Sequence, residues 1–164
     1  MTDSTTKPRI ALGADHAGYH LKEAVKKYLG EAGYVTDDLG TWSEESVDYP
    51  DYGKAVGERV ARGQDDLGIA SCGTGMGIAI AANKVPGIRA AVAHDNNTAR
   101  LAREHNNANV LAMGGRVVTG AKAIQMVKTF LGAQFGGGRH ERRVAKITQM
   151  EAGECPGNKA KKST

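Results

Sequence analysis

Residues 70–77 read Ala-Ser-Cys-Gly-Thr-Gly-Met-Gly, a thiol at the end of an apolar run with glycines at alternate positions beyond it. Phosphate binding, redox chemistry and proton abstraction would each use part of that arrangement, and spacing separates them. A dinucleotide fingerprint needs Gly-x-Gly-x-x-Gly, but Ile78 and Ile80 stand where its last glycine would fall. A P-loop needs Lys followed by Ser or Thr after its last glycine, and neither follows Gly77. Redox use asks for a resolving partner, yet there is no Cys-x-x-Cys, and Cys155 lies far off in a polar stretch. A cysteine phosphatase would close its loop with an arginine, which "CGTGMGIA" lacks. Carbanion chemistry remains: a base removes a proton next to a carbonyl while backbone N–H groups hold the developing enediolate. A thiol facing free N–H groups and a helix N-terminus is favoured as thiolate. The competing reading is a small structural cysteine beside a tight strand-to-helix turn.

Other residues with chemical potential have equally plain alternatives. Asp15 and His16 follow the run "RIALGA", where Asp15 suits a helix N-cap. His105, in "REHNNAN", suits a cap or dipole partner at a helix C-terminus. Arg139 and Arg143 are four apart, hence on one helical face. Such a pair is often a solvated basic surface, although planar guanidinium forks fit phosphate better than lysines do.

These residues need elements to position them. Apolar runs predict strands at 9–15, 34–40, 66–72, 87–93 and 109–115. Helical periodicity predicts helices at 17–33, 51–63, 77–84, 95–106, 119–132 and 136–150, with 41–50 as a loop. Strands separated by single helices imply right-handed crossovers and a mostly parallel sheet covered on both faces. The expected fold is therefore a three-layer α/β/α domain over residues 9–151 with an extra C-terminal helix. Residues 1–8 are expected to be disordered, and 152–164 to form a flexible polar tail. In such sheets ligands bind beyond the carboxyl ends of the strands, which is where Asp15, His16, Cys72 and the glycine loop all fall.

The 164 residues suffice for one domain with a real core. Seven Lys/Arg against three acids from Arg139 onward make up the entire net charge of +4, while the first 138 residues balance. The basic pI of about 9.1 thus reflects the C-terminus, and without aromatic interleaving or a reader motif it argues against nucleic acid. No apolar run is long enough to span a membrane, and two cysteines in unlike surroundings suggest a reduced, cytoplasmic protein.

The blocks "GADHAG" (13–18), "VDYPDY" (47–52), "CGTGMGIAIAANKVPGIRAA" (72–91), "REHNNANVLAMGGRVV" (103–118) and "GGRHERRV" (137–144) occur in that order. Together they resemble the type B ribose-5-phosphate isomerases, which have relatives acting on galactose 6-phosphate and allose 6-phosphate. The resemblance implies a Rossmann-like five-stranded parallel sheet. It also implies a homodimer or tetramer whose sites are shared between subunits, and no metal or other cofactor. It makes Cys72 the base moving a proton between C2 and C1, a step of the pentose phosphate pathway. Members without the cysteine use a carboxylate four residues later, where this chain has Met76. By the same resemblance Gly73, Thr74, Gly75, Met76 and Gly77 cradle the enediolate, Asp15 relays protons between O1 and O2, and His16 helps position the ligand. His105 opens the furanose ring with Asn106 beside it, and Arg116, Arg139 and Arg143 hold the phosphate. Tyr49 packs over the sugar or simply against the fold. Isomerisation of a six-carbon sugar phosphate is the nearest alternative, and a non-catalytic sugar-phosphate-binding module the more distant one; only the thiol separates the latter.

Overall fold

The computed structural model describes residues 6–154, so Cys155 and most of the expected tail lie outside the described residues. The chain alternates β1 (Ile10–Ala14), α1 (Tyr19–Glu31), β2 (Thr36–Asp38), α2 (Tyr49–Ala61), β3 (Leu67–Cys72) and α3 (Met76–Asn83). It continues through β4 (Ala90–Val92), α4 (Asn96–Asn106), β5 (Val110–Gly114), α5 (Gly120–Gly132) and α6 (Arg139–Glu151). All five strands are parallel, in the order β2-β1-β3-β5-β4.

Alternation along the strands splits the core in two. Ile10, Leu12, Ile69, Leu111 and Met113 pack with Leu21, Val25 and Leu29 of α1, Ala99 and Ala102 of α4, and Met126, Val127 and Phe130 of α5. On the other face Ala11, Ala70, Cys72, Val110 and Ala112 meet Val56 and Val60 of α2 and Ile78, Ala79 and Ala82 of α3. The result is the expected three-layer α/β/α sandwich, and the pleat turns Cys72 toward α2 and α3.

Boundaries differ from expectation where local chemistry intervenes. The outer strands β2 and β4 are three residues each, though the ladder beside β2 continues through Ile10 N–H to Val35 O and Leu39 N–H to Leu12 O. Helix α2 starts at Tyr49 rather than Asp51, because Pro50 is tolerated in a first turn whose N–H groups are unpaired anyway. Tyr49 consequently leaves the loop and joins a helix. Helix α6 starts three residues late, since Gly137 and Gly138 adopt positive φ.

Two buried polar links brace the carboxyl edge. Lys22 of α1 is buried and donates to Asp38 at 2.7 Å, and Lys26 donates to the same carboxylate at 2.8 Å. Asp38 also accepts the Gly40 N–H, and Gly40 O accepts the Ala14 N–H, tying the end of β2 to the end of β1. Burial works to raise the Asp38 carboxyl, but the bonds from Lys22, Lys26 and Gly40 outweigh it and hold it below the usual carboxylate range. The second link is the Ser71 hydroxyl, which donates to Gly18 O at 3.0 Å and fastens β3 to the turn before α1. Among the described residues no helix is long and apolar enough to cross a membrane.

Candidate active site

Cys72 is the last residue of β3 and only 4% exposed. Its neighbours are set by the turn that follows. Gly75 takes φ +83° at the start of α3, and a Cβ there would lie 2.9 Å from the Met113 carbonyl carbon. Any other residue would be strained in φ and would collide with β5. The turn aims the Gly75 N–H at the Cys72 sulfur, to which it donates at 3.2 Å. The Met76 N–H donates to Thr74 Oγ1, also at 3.2 Å. Among the described residues the N–H groups of Gly73, Thr74 and Gly77 have no acceptor, so three amides stay available beside the thiol.

The remaining walls come from other strand ends. Asp15 follows β1 and is 5% exposed; its Oδ1 accepts the N–H groups of Ala17 and Gly18 at 2.9 and 3.0 Å. It therefore caps the turn ahead of α1, while Gly18 is the helix cap residue itself. His16 Nδ1 lies 3.2 Å from the Val47 nitrogen and 3.3 Å from the Val47 carbonyl oxygen, which anchors the ring to the loop before α2. Tyr49 rests on Gly77, where an added Cβ would come within 2.7 Å of the ring, so the missing side chain makes the seat for the aromatic. Tyr49 thus packs on the fold and also lines the cleft. Arg116, after β5, lays its guanidinium along Gly73 and gives its N–H to Gly73 O.

Asp15, His16, Tyr49, Cys72, Gly73, Thr74, Gly77 and Arg116 thus line one open cleft of about 350 Å³ at the carboxyl edge, together with Ala17. Gly75 is buried behind it, and Met76 is exposed on the first turn of α3. The cleft thus brings together a thiol, a carboxylate, free backbone amides and a guanidinium.

His105, Asn106, Arg139 and Arg143 are not in that cleft. Helix α4 runs from the carboxyl end of β4 back to the amino end of β5, so its last turn lies at the opposite edge of the sheet. Its 11 residues rise roughly 16 Å, which removes His105 from its own chain's Cys72. The side chain of Arg89, just before β4, holds the Asn106 and Asn107 carbonyls there. The Gly136 N–H donates to Glu104 O, bringing the start of α6 to the same corner. There His105 stacks on His140, with ring centroids 4.2 Å apart, beside exposed Arg139 and Arg143. Sequence reasoning assigned nothing to Arg89 or Ser71, whose side chains bond carbonyls of distant segments, or to Ala17, because such contacts leave no motif. His140 stands one residue after Arg139 on the same helix.

Residues 10–147 match the family model described as ribose/galactose isomerase. The chain belongs to that family. It is 50% identical over 143 residues to the ribose-5-phosphate isomerase B of Escherichia coli K12, covering 87% of this chain and 96% of the relative. The ribose-5-phosphate isomerase B structure from Clostridium thermocellum superposes with a TM-score of 0.87 at 53% identity, over 88% of this chain and 98% of that one. A Mycoplasma genitalium ribose-5-phosphate isomerase B, solved with bound ribulose-5-phosphate, gives 0.84 at 42% identity, over 88% and 96% of the two chains. The chain is accordingly a sugar-phosphate isomerase, and the five-stranded parallel sheet is this family's fold.

Proposed function

We propose that the chain interconverts D-ribose 5-phosphate and D-ribulose 5-phosphate through an enediolate, with Cys72 as the carbon base. The observation that carries this reading is the buried Cys72 sulfur, bonded by the Gly75 N–H and flanked by three unpaired amides. The thiolate takes the proton from C2 of the open-chain aldose, and the C–H electron pair becomes the C1–C2 double bond as O1 takes up negative charge. The free amides of Gly73, Thr74 and Gly77 meet that charge without reorganising. Asp15 carries the hydroxyl proton from O2 to O1, and Cys72 returns its proton to C1. No electrons are gained or lost overall. A free thiol base also calls for a reducing compartment such as the cytoplasm.

Ribose 5-phosphate is mostly cyclic, so the reaction also needs an acid at the ring oxygen and an anchor for the phosphate. His105, Asn106, Arg139 and Arg143 fit those tasks but stand at the wrong edge of their own chain. The reading that reconciles these facts is a homodimer, in which a second copy brings its α4–α6 corner to the cleft of the first. Helix α6 is suited to this, since it has no buried residue and presents Ile147 and Met150 to the outside.

The test is a ketose-coupled assay of the purified chain on ribose 5-phosphate, allose 6-phosphate and galactose 6-phosphate, with EDTA present. Turnover of the five-carbon substrate, unaffected by chelator, is the expected result. Turnover of a six-carbon substrate alone would move the assignment within the family. No turnover of any of the three would leave a binding module.

A further inference from the structure

The proposed ring-opening acid has a partner in its own chain. His105 closes α4 and His140 opens α6, and their rings lie 4.2 Å apart, only 12° from parallel. The half-buried pair lines a cleft of about 590 Å³ whose other walls are Glu104 and the segment Gly132–Gly136. That segment contributes no titratable group. The charges facing the pair are Arg139 and Arg143 on α6 and Glu104 on α4, with Glu141 next in the chain. Glu104 is already engaged by Arg100 one turn earlier.

Like charges on two rings this close would repel. Burial lowers the proton affinity of His140, and the neighbouring His105, Arg139 and Arg143 charges lower it further. A neutral ring lying flat on a cationic one also attracts it through its π-face.

We propose that His140 is a positioning residue for the ring-opening acid: stacked flat on His105, it fixes the orientation of that ring. This rests on the reading of His105 given above.

The test compares His140→Ala and His140→Phe with the wild type in both reaction directions, alongside NMR spectra of the labelled histidine rings. His140→Ala should lower kcat on the cyclic aldose phosphate about 10-fold, below the full range for an acid–base group because His105 remains. The ketose direction needs no ring opening and should change by no more than about 2-fold. His140→Phe should restore most of the aldose kcat, because it can stack in the same place. Equal losses in both directions without rescue by Phe would overturn the proposal, as would a raised KM with unchanged kcat. If the wild type isomerises nothing, the functional reading fails by itself, and the ring-current shifts of the His105 ring protons still decide the pairing. Their loss in His140→Ala and return in His140→Phe supports it. Shifts that do not respond to either substitution overturn it.

Discussion

The carboxyl-edge cleft and the α4–α6 corner divide the proposed chemistry between them, and they are built in opposite ways. The cleft is made of strand ends and tight turns. Cys72, Gly75 and Asp15 are buried, and its amides are aimed by backbone that also carries the sheet. The corner hangs largely on α6, which is exposed along its length. Its arginines are exposed, its histidine stacks on His140, and Arg89 clamps the backbone just after it. On the proposed reading, one chain preorganises the proton-transfer half of the site, while the substrate-anchoring half needs a second copy to complete it. Binding energy from the remote phosphate can then be used to align the sugar over a rigid base.

The contrast is sharpest at Cys72. Cys72→Ala removes the one proton acceptor proposed at carbon and should lower kcat by about 10²- to 10⁴-fold. Circular dichroism and thermal unfolding should stay close to wild type, because the methyl remains in a small-residue core. A variant keeping more than a tenth of kcat would show that the cleft's base lies elsewhere.

The rigidity of the cleft depends on its bracing. Asp38→Asn removes one of the two carboxylates on buried Lys22, Glu23 at 2.8 Å being the other, and should cost about 2 kcal/mol of stability by chemical denaturation. Wild type should also lose stability with acid in a defined window. The folded Asp38 value lies below the unfolded one, so its contribution is complete above about pH 4 and is lost as pH falls through the lowered value. The Asn variant should show a flatter acid limb. If its stability matches wild type at neutral pH, the edge is held by backbone alone.

At the corner the effects should fall on binding. Arg139→Ala should raise KM for the sugar phosphate roughly 10- to 100-fold, the worth of one charge-assisted bond, with little change in unfolding. Mixing Cys72→Ala chains with Arg139→Ala/Arg143→Ala chains should restore activity, because a heterodimer then has one site with both halves intact. Exchanged subunits that stay inactive would place both halves of the site within one chain and erase the contrast.

Alternating apolar and amphipathic segments were enough to establish the parallel α/β sandwich, since the periods of strand and helix differ and each needs cover. The same reading placed Asp15, His16 and Cys72 together, because parallel strands bring all their carboxyl ends to one edge whatever the sequence separation. Glycine spacing also told which chemistries the loop at 73–77 does not serve. Other matters belonged to three dimensions. That Gly75 gives its N–H to the thiol, that Tyr49 rests on Gly77, and that Lys22 lies buried against Asp38 follow from close approach between segments, which no local pattern encodes. The sequence places His105 near a helix end, but only the direction of α4 across the sheet puts it at the edge opposite Cys72. Sequence determines which groups a chain owns; the crossovers decide which of them can meet within it, and which require a second copy.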